Sequence, residues 1–228
     1  MHAEELAKTI DHTLLKADTT SPDVERLCRE AIEYHFAAVC VFPYFVPLAD
    51  SILRREDVKV CSVISFPFGA DSLRAKVIAA EDAVAGGADE VDVVINLPAF
   101  LSGEFGYVRN ELASVVRAVR MKGINTGRGP VVIKAIIETC YLTTEMKKLA
   151  CKICEQAAVD FVKTSTGCGP KGATVQDVEL LRECLNEHVS IKASGGIRTL
   201  HDVELMVNAG AVRVGTSAGV AIMKDFLT

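Results

Sequence analysis

The sequence predicts a (β/α)8 barrel, a TIM-barrel α/β fold with eight parallel strands, spanning residues 1–228 as one domain. Three observations carry that expectation. Short apolar, β-branched runs alternate with amphipathic helical stretches, the pattern of right-handed βαβ units around a parallel sheet. Seven such runs are plain and an eighth is short, which fits the usual size of an eightfold barrel. The rival, a doubly wound open sheet, more usually shows a GxGxxG turn after its first strand, and none is present.

The elements follow in order. Residues 9–12 form the short first run, and Ser21-Pro22 reads as an N-cap with proline in the first helical turn. The next runs are 36–42, 58–64 and 90–95, with a helix between the last two that opens at Asp71 and ends at Gly86-Gly87. Runs at 131–137, 161–164, 189–193 and 212–215 complete the set. Thr174 with Asp177, and Thr199 with Asp202, have capping-box spacing. Asn208-Ala209-Gly210 closes the last of these helices. The helix-to-strand joins 85–89, 157–160 and 208–211 resemble one another, a weak internal echo. No Pro/Ser/Gly-rich linker divides the chain.

Composition narrows the function classes. The 228 residues are 50% hydrophobic, with net charge −5 and neither a basic excess nor a run of like charge, so nucleic acid is not an expected partner. Aromatics are scarce at 6% and Trp is absent, which leaves little for stacking bases. An anionic small ligand remains open, because backbone amides can bind phosphate in an acidic protein. No apolar stretch is long enough to cross a membrane, and Met1 to Lys8 is charged rather than signal-like. Eight cysteines without a secretory leader read as reduced thiols of a cytoplasmic protein. Cys151 and Cys154 have CxxC spacing, but they lie in a helical stretch with no second Cys/His pair, so two helix thiols are the expected reading and no metal site is predicted. His12, His35, His188 and His201 also lack metal spacing.

Chemistry is signalled by charges where strands should be apolar. Asp92 interrupts Val91-Asp92-Val93-Val94, Lys134 interrupts Val132-Ile133-Lys134-Ala135, Lys163 follows Phe161-Val162, and Lys192 sits between Ile191 and Ala193. One lysine at a strand end commonly snorkels to solvent. Four such residues on neighbouring strands weaken that explanation, since buried charge is costly unless paired. Lys163 and Lys192 are expected side by side on strands six and seven. Proximity and burial should then discharge at least one amine, leaving a nucleophile able to form a Schiff base, with the other lysine as charged partner and Asp92 relaying protons. Glycine-rich turns after strands seven and eight, Ser194-Gly195-Gly196-Ile197-Arg198-Thr199 and Gly215-Thr216-Ser217-Ala218-Gly219, match the position of the barrel phosphate site, and Gly167 offers a further amide. These are the parts of a class I aldolase.

At these residues the sequence closely resembles the deoxyribose-phosphate aldolase family. The matching blocks are Ile10-Asp11-His12-Thr13-Leu14-Leu15, Glu90-Val91-Asp92-Val93-Val94-Ile95-Asn96, Lys134-Ala135-Ile136-Ile137-Glu138-Thr139, Phe161-Val162-Lys163-Thr164-Ser165-Thr166-Gly167, Ile191-Lys192-Ala193-Ser194-Gly195-Gly196-Ile197-Arg198-Thr199 and Gly215-Thr216-Ser217. They stand in the family's order and cover nearly the whole chain. The resemblance implies reversible cleavage of 2-deoxy-D-ribose 5-phosphate to D-glyceraldehyde 3-phosphate and acetaldehyde, without metal or organic cofactor, in a homodimer or homotetramer. It implies catalytic roles for Lys163 (Schiff base), Lys192 (its perturbing partner) and Asp92 (proton relay). It places Asp11, Cys40, Gly167, Gly195, Gly196 and Ser217 against the substrate, although Cys40 also reads as a core thiol. Cys168 stands where relatives often carry lysine or an aromatic residue, and Pro98 where glycine is expected, so the phosphate rim and the loop after Asp92 are expected to differ. Two other readings stay open on the residues alone: another lysine-dependent aldolase or transaldolase, and a sugar-phosphate-binding barrel without Schiff-base chemistry.

Overall fold

A computed structural model describes residues 2–228; of the opening segment, Met1 lies outside the described residues. Eight parallel strands close into a barrel in chain order, β1 (Ile10–Thr13), β2 (Ala38–Val41), β3 (Lys59–Ile64), β4 (Glu90–Val94), β5 (Val132–Ile136), β6 (Phe161–Lys163), β7 (Ser190–Ser194) and β8 (Arg213–Thr216), with β8 pairing back onto β1. All eight expected strands form, each within about two residues of its expected bounds. The helices are α1 (Ala3–Thr9), α2 (Ser21–Glu33), α3 (Val46–Leu53), α4 (Leu73–Gly86), α5 (Leu97–Leu101), α6 (Phe105–Asn125), α7 (Thr144–Gln156), α8 (Val175–Cys184), α9 (Leu200–Asn208) and α10 (Gly219–Leu227). None is long and apolar enough to cross a membrane.

Side-chain caps set the starts of α4, α5, α7, α8 and α9, and three helix starts differ from the sequence reading. Thr20, not Ser21, caps α2 and forms a reciprocal box with Asp23, placing Pro22 in the first turn. Ser72, not Asp71, caps α4, its hydroxyl accepting from the Ala75 amide at 3.3 Å. Thr174 accepts from the Asp177 amide at 3.1 Å, but the Asp177 carboxylate turns to Lys147 instead of back to the cap. The Thr199–Asp202 box forms as expected. Two of the echoed joins share a job: Asp89 accepts from the Val60 amide at 2.9 Å and Asp160 from the Ile133 amide at 2.8 Å, each tying a strand start to its neighbour.

The main apolar core lies between strands and helices, where Ile10, Val39, Val91, Val93, Ile133, Val162, Ile191 and Val214 pack against the inner helix faces. Alternation along each strand turns the intervening residues into the barrel. There a small apolar wall of Ala38, Cys40, Cys61 and Val63 occupies the β2–β3 side. The rest of the interior is ionic, and its layout defines the site.

One buried ion pair sits outside that interior. Lys76 of α4, fully enclosed, donates to the carbonyls of Gly69 and Val94 at 3.0 Å each and to Glu111 of α6 at 2.7 Å. It binds the β3–α4 loop to the end of β4 and to the neighbouring helix. Removing one partner leaves the other charged and unpaired, so Lys76→Met should lower the unfolding free energy by about 3–5 kcal/mol, whereas Lys76→Met combined with Glu111→Leu should recover much of it. Equilibrium urea unfolding of the two variants checks this; equal losses would contradict it.

Candidate active site

Register brings the ionisable strand residues together. Lys163 and Lys192 are directly paired across β6 and β7, Asp92 faces Lys134 across β4 and β5, and Lys192 faces Arg213 across β7 and β8. All of them except the partly enclosed Arg213 are buried, as are Asp11 and Glu90. Asp92 is the hub. Its Oδ2 accepts from Lys163 Nζ and from Lys192 Nζ, both at 2.7 Å. Its Oδ1 accepts from Lys134 Nζ at 2.9 Å and from the Cys61 thiol at 3.1 Å. Lys134 also pairs with Glu90, and Lys192 with Asp11. Arg213 closes the circuit, with Nε donating to Asp11 at 2.7 Å and Nη2 to Glu90 at 3.1 Å.

The cluster thus holds three carboxylates (Asp11, Glu90, Asp92) and four basic groups (Lys134, Lys163, Lys192, Arg213). At Asp11, Asp92, Lys134, Lys192 and Arg213 burial acts against the charge, but the ion pairs outweigh it. Lys134, Lys163 and Lys192 hold Asp92 well below the usual carboxylate range, and Lys192 with Arg213 does the same for Asp11. Asp92 and its neighbours raise Lys134 far above an ordinary lysine, and Asp11 with Asp92 raises Lys192. The discharge expected of one lysine therefore does not fall on Lys192, because two carboxylates flank it.

Above this layer opens a cavity of about 180 Å³ at the C-terminal ends of the strands. Lys163 lies in its floor, and Thr166, Gly167, Ser194, Gly195 and Ser217 form one side. Of the expected contacts, Gly167, Gly195 and Ser217 line the cavity, and Gly196 follows in the same turn with φ of +80°. The turn needs glycine: Gly195 has φ of +88°, and a Cβ there would stand 2.9 Å from the Gly172 Cα. Gly215 serves the lysine, since a Cβ on it would meet Lys192 Cε at 3.2 Å. Asp11, Asp92 and Lys192 lie beneath the cavity without lining it, and Cys40 is enclosed in the apolar wall. Hydrogen bonding from Cys61 draws the Cys40 thiol below its ordinary value, while burial pushes Cys61 well up. A larger hollow of about 480 Å³, lined by Lys8, Tyr34, His35 and Asp57 among others, lies by residues that precede β2 and β3, at the opposite end of the barrel.

Three members of this arrangement, Glu90, Arg213 and Glu138, are not singled out by the sequence pattern. Glu90 and Arg213 share the strand face of Asp92 and Lys192, and the same period-two rule that exposed those two applies to them. Lys134, marked in the sequence as a charge within a strand, touches Asp92 directly. Glu138 follows β5 with φ of +52°, a conformation costly outside glycine, and its carboxylate accepts from both the Thr166 amide (3.1 Å) and the Thr166 hydroxyl. It thereby holds the loop that carries Gly167.

A family model for the DeoC/LacD family aldolases matches residues 6–226. The chain belongs to that family. A deoxyribose-phosphate aldolase of Thermoanaerobacter sp. (strain X514) is 51% identical, covering 97% of this chain and 96% of the relative. One of Carboxydothermus hydrogenoformans is 49% identical over 98% and 96%. Among solved structures, the tetrameric deoxyribose phosphate aldolase of Aeropyrum pernix superposes with a TM-score of 0.90 at 34% identity, covering all of this chain and 93% of the other. DeoC/LacD membership agrees with an ionic barrel interior that opens on a glycine-lined cavity at the strands' C-terminal ends.

The cluster also dictates an acid and alkaline response. Carboxylates whose folded pKa is depressed stabilise the fold above the ordinary carboxylate range and lose that contribution as pH falls below it. Lysines whose folded pKa is raised stabilise it below the ordinary lysine range and lose that contribution as pH rises through and beyond it. Thermal unfolding followed across pH should show a plateau between the two ranges and a decline on each side. Asp92→Asn should lower the plateau and weaken the acid decline; an unchanged acid limb would refute the assignment to this cluster.

Proposed function

We propose that the protein is a class I aldolase that reversibly cleaves 2-deoxy-D-ribose 5-phosphate to D-glyceraldehyde 3-phosphate and acetaldehyde. The observation that carries this reading is Lys163 Nζ, which floors the cavity while sharing a single carboxylate oxygen with Lys192. Lys192 and Lys134 each have two or more carboxylate partners, whereas Lys163 pairs with Asp92 alone and lines the cavity, so it is the amine placed to meet the substrate carbonyl.

Neutral Lys163 attacks C1 of the open-chain sugar, and loss of water from the carbinolamine gives an iminium. Asp92, working through water with Lys192, takes the C3 hydroxyl proton. The O–H pair becomes the new C3 carbonyl, and the C2–C3 pair moves into C1=C2 and neutralises the iminium as an enamine. Glyceraldehyde 3-phosphate departs. The proton is delivered to C2, and water releases acetaldehyde and the free amine. The phosphate, held by amides of the Gly167 and Gly195 turns with Ser217, fixes the chain so that C1 meets Lys163. Every group invoked is a side chain or backbone amide of this chain, so the reading requires no cofactor. Eight free cysteines accord with action in the cytoplasm, and the tetrameric neighbour supports a homo-oligomer.

The purified protein should release acetaldehyde and triose phosphate from 2-deoxyribose 5-phosphate, and in the reverse direction should accept acetaldehyde as donor. Lys163→Ala should lower kcat at least a thousandfold, and Asp92→Asn by about 10²–10⁴-fold as expected for loss of a positioned proton carrier. Condensation only with ketone donors would point instead to another lysine aldolase or a transaldolase, and phosphate binding without cleavage to a non-catalytic barrel.

A further inference from the structure

We propose that Lys16 supplies the side-chain cation of the phosphate subsite, and so sets the preference for a phosphorylated over an unphosphorylated sugar. The inference rests on the sugar-phosphate reading above and adds a residue that neither the strand pattern nor the glycine turns identify. The glycine-bearing side of the cavity is neutral: Thr166, Gly167, Ser194, Gly195 and Ser217 offer amides and hydroxyls only. Cys168, the next residue beyond Gly167, brings no charge to that rim either. Next to the β8 end that carries Ser217 comes the β1–α2 loop, and Lys16 is the one cation lining the cavity besides Lys163, among the described residues. Lys163 is committed to the carbonyl end of the substrate.

The loop is placed to hold Lys16 there. The Leu14 amide bonds the Cys40 carbonyl at 3.0 Å, extending the β1–β2 pairing past the strand end. The Lys16 carbonyl accepts from the Thr19 amide at 3.1 Å and from its hydroxyl at 2.7 Å, closing a tight turn. The backbone is therefore fixed on both sides of Lys16 while its side chain remains exposed. The adjoining hollow also borders Lys16 and contains Asp23 and Glu30, but those carboxylates are engaged: Asp23 by Thr20 and Arg26, and Glu30 by His12. Lys16 pairs with no carboxylate among the described residues, so its ammonium is available to a dianion that otherwise meets only neutral donors. A point charge on a flexible stem suits that task at the mouth of a cavity, where the amides provide the directional bonds.

The test compares Lys16→Met, Lys16→Glu and Lys16→Arg with the wild-type protein. Binding of inorganic phosphate, measured by titration calorimetry, should weaken about tenfold in Lys16→Met, the size of one charge-assisted contact at a half-open site, and further in Lys16→Glu. The ratio of kcat/KM for 2-deoxyribose 5-phosphate to that for 2-deoxyribose should fall by a similar factor, through KM more than kcat. Lys16→Arg should restore most of both, and added salt should narrow the gap between wild type and Lys16→Met. Unchanged phosphate binding in Lys16→Met, or equal losses on the two sugars, would overturn the proposal. Absence of cleavage by the wild-type protein would overturn the aldolase reading instead, and phosphate binding would then decide on Lys16 alone.

Discussion

Asp92 accepts from three lysines and a thiol inside the barrel, and the rest of the structure is arranged to make that tolerable. A carboxylate so deep is stable only because the cations around it outweigh its desolvation. The cations in turn require Asp11 and Glu90, and those two require Arg213. No member can be removed without stranding another, which is why the cluster behaves as one unit rather than as a set of pairs. One of its amines, that of Lys163, opens to the cavity.

The barrel supplies the geometry that such a unit needs. Parallel register sets Lys163 opposite Lys192 and Asp92 opposite Lys134 without help from loops, so the charged cluster stands on the strands themselves. The apolar core lies outside the strands, between them and the helices, and leaves the interior free to be polar. Where space is short, residue size gives way: Gly215 clears the path of the Lys192 stem, and the small wall of Ala38, Cys40, Cys61 and Val63 fills the side of the interior that carries no charge. Loops enter only at the rim, where Glu138 holds the Thr166 turn and Thr19 holds the turn at Lys16.

Much of this was legible in the residue order. Alternation of strand-length runs with helical stretches is a local signal, and it located all eight strands. The charged residues of the interior stood out because a lysine between isoleucine and alanine has no ordinary explanation. Partnership was harder to read, because register depends on closure of the whole barrel. Arg213, Glu90 and Lys134 carry the same local signal as Lys192, but only the closed ladder shows that they complete the circuit. Glu138 and Lys16 fall outside the strands, where no periodicity distinguishes them. The helix starts shifted by one residue for a local reason: the Ser72 hydroxyl reaches the Ala75 amide, and the Asp23 carboxylate reaches back to the Thr20 amide and hydroxyl. The second carboxylate beside Lys192, Asp11, holds that lysine charged, and spacing alone does not reveal the partnership.

The proposed aldolase chemistry requires that Lys163, and no other amine of the buried cluster, forms the Schiff base. Reduction with borohydride in the presence of 2-deoxyribose 5-phosphate or acetaldehyde, followed by peptide mapping, tests it directly. The account predicts one stable adduct, of the mass of a reduced two-carbon imine when acetaldehyde is used, on the peptide that contains Lys163. An adduct on Lys192 or Lys134 in the folded wild-type protein, or trapping that survives Lys163→Ala undiminished, would contradict it.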